Sequence, residues 1–197
     1  TGSCYCLPLI SKRIKVVVSE QSNLMNKVYM SSKKTRLNHF LAAHRADLII
    51  TLTQSDKEAW INKYHLKENQ FQVIHNYNVP KETEEVTRTN TIITVGSYDP
   101  VKGYEYLVEV AKRVLMNTEY TWHLYAMGEN EYKQKILTLI HENNLEDKLI
   151  VEKPLNDLSR VYKTAKTNVM TSRNEGLPLS LIEAKKYGCV NVAFDCK

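Results

Sequence analysis

The stretch TNVMTSRNEGLPLSLIEA runs from Thr167 to Ala184 and reads as a strand, a polar turn and an amphipathic helix. Thr167–Met170 is the strand, and the helix is expected over Pro178–Gly188. Pro178 has no N–H and a preset φ, so it suits the first helical position. The unpaired amides between Gly176 and Ser180 then face outward with the positive end of the helix dipole behind them, an arrangement that binds phosphate. Two carboxylates, Glu175 and Glu183, flank that end, eight positions apart. Glu183 lies roughly 7–8 Å into the helix at 1.5 Å per residue. An ionised Glu only accepts hydrogen bonds, so its two oxygens suit a pair of neighbouring hydroxyls. Phosphate on a helix end with a diol beside it is the pattern of a sugar nucleotide.

Outward from this stretch, short β-branched runs alternate with helical periods, which argues an α/β fold with parallel sheets. In the second part, strands are expected at Thr91–Gly96, Thr121–Ala126, Lys148–Glu152, Thr167–Met170 and Val190–Phe194. Helices are expected at Gly103–Met116, Glu129–Asn143, Leu155–Ala165 and Pro178–Gly188. In the first helix Leu107, Val110, Ala111, Val114 and Leu115 make a stripe at helical spacing, and Tyr132, Ile136, Leu139 and Ile140 repeat it in the second. Five strands with right-handed helical crossovers make a Rossmann-type unit of order 3-2-1-4-5. In that order the loops after strands 1 and 4 meet at the ligand crevice. They are Gly96–Gly103 and Thr171–Gly176, the two stretches that look built for a ligand. Lys102 can reach a diphosphate at the helix end, and Gly96 permits close backbone approach. The bland alternatives are a surface lysine for Lys102, a plain turn glycine for Gly176 and an ordinary exposed helix carboxylate for Glu183. Gly128-Glu129-Asn130 resembles only a turn and N-cap.

The first part offers strands at Ile14–Val18, Leu48–Leu52 and Gln72–His75, with helices near Tyr29–Ala46 and Ser55–Tyr64. Asn76–Asn90 is polar and aperiodic and reads as a linker. The chain has 197 residues and a net charge of +5. All of the excess lies in residues 1–90, with 13 Lys+Arg against 8 Asp+Glu; residues 91–197 hold 14 of each. Such a basic face suits anionic lipid or a phosphorylated substrate, or is simply solvated. It lacks interleaved aromatics and any nucleic-acid reading module, which argues against nucleic acid. Cys4, Cys6, Cys189 and Cys196 have no zinc spacing and are expected as reduced thiols of a cytoplasmic protein. The six histidines lack metal spacing and are expected to be structural or at the surface. No run is apolar enough to span a membrane, and no cleavable signal peptide is evident. The chain starts without Met and stops at Phe194-Asp195-Cys196-Lys197, so both ends are expected to be cut.

Three segments together resemble glycosyltransferase family 4: Val95-Gly96 with Lys102-Gly103, then Gly128-Glu129, then Ser172-Arg173-x-Glu175-Gly176-Leu177-Pro178-x4-Glu183-Ala184. Ala46–Thr53 and Val73–Asn76 resemble the last acceptor-domain strands of that family. The resemblance implies a retaining, metal-independent enzyme of GT-B architecture: two Rossmann-type parallel-sheet domains, the first incomplete here and the second nearly complete. The implied boundaries are residues 1–80 for the acceptor-side part, 81–90 for the linker and 91–197 for the donor-nucleotide domain. Glu175 would hold donor-sugar hydroxyls, and the backbone of Gly176, Leu177, Pro178 and Leu179 would lie on the diphosphate. Glu183 would take the ribose, and Lys102 would neutralise the leaving phosphate; Gly96 and Ser97 would line the donor site. Backbone near Pro154 and Leu155 would frame the base. Glu175 and Lys102 are the implied catalytic pair.

Two departures stand out. Ser97 occupies the place where the family usually has an arginine. Ser19-Glu20-Gln21 stands where a histidine often faces the acceptor, which makes Glu20 a candidate acceptor-side residue. The implied function is transfer of a sugar from a nucleoside-diphosphate donor, a UDP-sugar first, to a cell-surface polysaccharide or lipid-linked glycan. It needs no cofactor or metal, and peripheral attachment to the inner membrane face is implied by the basic first part. The rivals are a nucleotide-sugar epimerase of the same architecture and a non-catalytic sugar-nucleotide-binding subunit of a synthase complex. The residues do not name the sugar, the base, the linkage or the acceptor.

Overall fold

The computed structural model describes residues 6, 7, 9–21, 31–77 and 86–196. The chain divides into two compact units, Thr1–Asn76 with Glu175–Leu177, and Tyr77–Asn174 with Pro178–Lys197. Residues 81–85 of the expected linker lie outside the described residues, as do Tyr29 and Cys4. Thr89 and Asn90 already belong to a strand.

In the first unit β1 (Val17–Ser19), β2 (Leu48–Thr51) and β3 (Phe71–Val73) form a parallel sheet in sequential order. Pairing begins at Val17 rather than Ile14. Asp47 Oδ2 takes the Val16 amide at 2.9 Å, and Arg45 binds the Ser11 and Ile14 carbonyls at 3.0 and 2.9 Å. These bonds fold residues 11–14 into a turn in place of the expected strand start. Between the strands run α1 (Lys33–Arg45), capped by Ser32, and α2 (Gln54–Tyr64), capped by Thr53. Ala42, Ala43, Ile49, Trp60 and Phe71 make the core.

The second unit holds β4 (Thr89–Ser97), α3 (Tyr104–Leu115), β5 (Thr121–Met127), α4 (Glu131–Glu142) and β6 (Leu149–Glu152). α5 (Ser159–Thr164), β7 (Ala165–Met170), α6 (Leu179–Lys186) and β8 (Val190–Ala193) complete it. All pairings are parallel, in the order β6-β5-β4-β7-β8, which is the expected 3-2-1-4-5. Successive β4 residues alternate between two cores. Ile92 packs with Leu107, Trp122, Leu124 and Ile136, while Ile93 packs with Tyr162, Ala184 and Tyr187. The period-2 alternation of strands and the 3.6 period of helices meet here. On α3 the buried stripe is Tyr104, Leu107, Val108, Ala111 and Leu115; Val110 packs partly buried against it as expected, while Val114, also expected inside, lies toward solvent. The fifth helix starts four residues later than expected, at Ser159. Asp157 explains it: its carboxylate accepts the Ser159 amide at 2.8 Å and the Ser159 hydroxyl at 3.0 Å, a local bond that competes with helix. Among the described residues no helix is long and apolar enough to cross a membrane, and Cys6, Cys189 and Cys196 form no disulfide.

One buried hydroxyl joins three strands. Thr94 Oγ1 donates to the Val169 carbonyl at 2.8 Å and accepts from Trp122 Nε1 at 3.0 Å. Replacing Thr94 by Val keeps the shape but strands the indole N–H in the core. Urea unfolding of Thr94→Val is expected to show a loss of about 2–3 kcal/mol, the cost of an unsatisfied buried polar group; a loss near zero would mean the link carries no stability.

Candidate functional site

The carboxyl ends of β4 and β7, the central pair of the second sheet, bring their two loops together. Beyond Ser97 the chain turns through Asp99, whose side chain accepts the Val101 amide at 2.8 Å, into a single 3-10 turn at Pro100–Lys102. Gly103 then adopts φ +63, a left-handed conformation open to glycine, and α3 begins at Tyr104. A Cβ on Gly103 would lie 2.5 Å from the Thr171 carbonyl oxygen. The loop after β7 grips this turn at three consecutive carbonyls. Thr171 Oγ1 donates to Lys102 O at 3.1 Å, the Arg173 amide donates to Val101 O at 2.7 Å, and Arg173 Nη1 donates to Pro100 O. Lys102 therefore sits on a turn whose backbone is fixed from the neighbouring strand.

The arginine is itself held. Its guanidinium contacts Glu105 Oε2 at 3.3 Å and lies 4.6 Å over the Tyr106 ring. Glu105 also accepts from Lys135 at 2.9 Å and from Tyr132 Oη at 2.7 Å. Burial alone would raise the Glu105 carboxyl; the bonds from Lys135 and Tyr132, with the charge of Arg173, hold it at about 2. Tyr132 Oη in turn accepts the Tyr104 amide at 2.9 Å. The N-terminus of α3, which Gly103 cannot cap, is thus closed by a tyrosine and a carboxylate.

The N-terminus of α6 differs. Pro178 is its N-cap residue, not the first helical residue as expected, with φ −70 and ψ 119, and α6 begins at Leu179. As a proline, the N-cap residue brings no side-chain acceptor to the first turn of α6. In α4 that place is filled by Asn130, and in α5 by Asp157. Buried Asn168 on β7 donates to the Ser180 carbonyl at 3.5 Å, and Asn191 on β8 donates to Leu181 O at 2.8 Å, so the helix is anchored through its carbonyls. Glu183 lies within this helix, half-buried, and accepts from Tyr162 Oη at 3.1 Å.

The remaining expected residues fall in several places. Gly96 ends β4 with Tyr104 Oη 2.7 Å from where a Cβ would stand, so a side chain there meets the α3 tyrosine. Ser97 is half-buried and pairs in register with Met127. Pro154 and Leu155 lie exposed on the loop after β6. Leu179 is exposed at the α6 start. Glu175, Gly176 and Leu177 group with the first unit, where Asn76 Nδ2 donates to the Leu177 carbonyl at 2.9 Å. Glu20, also in the first unit, follows β1 and lies 3.2 Å from the buried His39 imidazole. Among the described residues no group of three or more His, Cys, Asp or Glu could hold a metal ion. Thr171, Arg173, Tyr162 and Arg88 had no assigned part in the sequence reading. Arg88 was hidden in the supposed linker, and the others depend on contacts across tens of residues.

A family model described as "Glycosyl transferases group 1" matches residues 76–197. A Haemophilus influenzae protein named as an uncharacterized glycosyltransferase is 33% identical over 162 residues, 81% of this chain and 45% of its own length. The amylovoran biosynthesis glycosyltransferase AmsD of Erwinia amylovora is 31% identical over 158 residues, covering 77% of this chain and 44% of its own. The chain thus spans less than half the length of these relatives. Among solved structures, S. aureus TarM in complex with fondaparinux, alpha-GlcNAc-glycerol and UDP superposes with a TM-score of 0.80 at 24% identity, over 93% of this chain and 37% of that one. It shares the fold.

The Glu105 carboxyl is held at about 2 against an ordinary 4.5, so the stability it lends is complete above about pH 4.5 and is lost as pH falls through about 2. Thermal melts of Glu105→Gln beside the parent chain are expected to differ most at pH 7 and to converge on acidification toward pH 2. A gap independent of pH would remove the network from the acid response.

Proposed function

The chain belongs to the group 1 glycosyl transferases, and on that premise we propose that it carries the donor-binding part and some of the acceptor-binding part of a retaining glycosyltransferase. The observation that supports this most is an α6 N-terminus begun by a proline with no capping side chain, with the Glu183 carboxylate inside the same helix. Backbone amides from Gly176 to Leu179 would receive the diphosphate of a nucleotide sugar. Glu183 would accept from the ribose hydroxyls, and backbone at Pro154 and Leu155 would frame the base. Glu175 would accept from hydroxyls of the sugar. Gly96 and Ser97 would line the donor site, and Glu20 would stand on the acceptor side.

Chemically, the bond between the anomeric carbon and the phosphate oxygen breaks through an oxocarbenium-like transition state, and its electron pair goes to the departing diphosphate. Fixed amides and the Lys102 ammonium would stabilise that growing charge without a metal. Ser97 stands in place of the family's usual arginine, and in this reading Lys102 supplies the cation at this loop. The two curated relatives described above are named glycosyltransferases, which favours transfer over the epimerase rival. The proposed donor is a UDP-sugar, in keeping with the UDP of the TarM structure, and the proposed acceptor is a surface polysaccharide or lipid-linked glycan. In this reading residues 1–80 are the acceptor part and 91–197 the donor part, with the donor part extended back to Thr89 by β4.

Calorimetric titration of UDP and of uridine tests it. Lys102→Ala is expected to weaken UDP about tenfold or more, the scale of one charge-assisted hydrogen bond, and to leave uridine unchanged. Equal loss for both ligands, or none for UDP, overturns the assignment. UDP binding with no sugar transfer by the whole protein would favour the non-catalytic subunit reading.

The same reading puts the protein at the cytoplasmic face of a membrane, where a lipid-linked acceptor would lie. Helix α1 supports it: KKTRLNHFLAAHR contains no acidic residue, and its outer face exposes Leu37 (47%) and Phe40 (50%) between Lys33, Lys34 and Arg36. Exposed apolar groups ringed by cations fit an anionic bilayer surface. Co-flotation with vesicles containing phosphatidylglycerol is expected, weakened by salt and by Leu37→Ser with Phe40→Ser; binding to neutral vesicles alone, or none, overturns this part.

A further inference from the structure

Glu183 receives its single hydrogen bond from within the protein, and the donor is unusual for a surface-facing carboxylate. Tyr162 is 1% exposed, its ring stacks on Tyr187 with centroids 6.2 Å apart, and its hydroxyl ends 3.1 Å from Glu183 Oε2. Among the described residues no other hydrogen bond reaches that carboxylate, so Oε1 and the second lone pair of Oε2 stay open to a ligand. The tyrosine itself is fixed from behind by Arg88. The guanidinium donates to the carbonyls of Tyr162 at 3.2 Å, Ala165 at 2.5 Å and Tyr187 at 2.5 Å. Those carbonyls end α5 and α6, where acceptors lack helical partners and the dipole favours a cation. One arginine therefore ties the end of the helix that carries Tyr162 to the end of the helix that carries Glu183.

We propose that Tyr162 is a positioning residue: its hydroxyl orients the Glu183 carboxylate so that the open oxygens meet a vicinal diol, with Arg88 keeping the two helix ends in register. The inference rests on the reading of Glu183 as the ribose ligand. The logic is preorganisation. A glutamate on a helix surface has three rotatable bonds, and fixing them on binding costs affinity. A buried donor that fixes them beforehand removes that cost and makes the diol contact selective. Burial, with the Glu183 charge beside it, raises the Tyr162 phenol, so it stays a donor across the working pH range. A tyrosine that merely filled the core would meet its packing duty equally well as phenylalanine.

The test compares UDP with 2′,3′-dideoxy-UDP by calorimetry on the parent chain, Tyr162→Phe, Glu183→Ala and the double variant. The parent is expected to prefer UDP by about tenfold or more, since two hydrogen bonds to a charged acceptor are at stake. Tyr162→Phe keeps the stacked ring, so the dideoxy ligand should bind within twofold of the parent while the preference for UDP falls roughly three- to tenfold. In the Glu183→Ala background the same change should have no effect on the preference, because the oxygen it orients is gone. A parent with no preference, or Glu183→Ala leaving it intact, overturns the ribose reading and the inference with it. A preference that needs Glu183 but survives Tyr162→Phe overturns the positioning role alone, as does equal weakening of both ligands.

Discussion

Three donors on the loop after β7 meet three consecutive carbonyls of the turn after β4, and the second unit is organised around that meeting. Parallel strands can be neighbours only if long crossovers carry the chain back, so β4 and β7 lie side by side although about 75 residues separate them, as the Thr94–Val169 bond records. Their following connections leave to opposite faces of the sheet, which opens a crevice between them. Left to themselves, two loops at such a crevice would be independent. Here the backbone of one is the hydrogen-bonding partner of the other. Gly103 makes this possible, since a side chain there would strike the Thr171 carbonyl.

The same crevice shows how differently two helix starts can be treated. At α3 the first amide is taken by Tyr132 and the dipole is met by Glu105, which is itself surrounded by Lys135 and Arg173. That end is satisfied from within the protein. At α6 the preceding residue is proline, which offers no side-chain oxygen, and the cationic groups nearby are either fixed or on the adjoining turn. One helix start is thus closed by side chains from α4 and its own first turn, while the other begins on a proline without a capping side chain. Such a contrast is informative because helix ends are ordinarily capped.

Much of this was legible in the residues. Hydrophobic periodicity located all eight strands and six helices described here, because period and alternation are local properties of the chain, and the Rossmann connection rules gave the order of the second sheet. The turn TSRNEGLP pointed to the β7–α6 junction for the same reason. What could not be read depends on contacts between distant residues. Val108 rather than Val114 faces the core because α3 is rotated by its own packing against β5 and α4. Arg88 looked like part of a polar linker, yet its guanidinium caps carbonyls 74 to 99 positions away. Tyr162 drew no reading at all, since no pattern in the sequence reveals which oxygen a buried hydroxyl finds. Asp157 shortened α5 through a bond two residues long, a local effect that composition underweights.

The central position of β4 also fixes an order of assembly. Its partner β5 follows after a single helix, so that half of the sheet closes early and at modest entropic cost. Its other edge stays bare until β7 arrives from far down the chain, and β8 adds only after that. The grip of the loop after β7 on the turn at 100–102 depends on this long-range pairing. A molecule held by both loops would therefore also hold together the β4–β7 seam, whose closure spans far more chain than that of β4–β5.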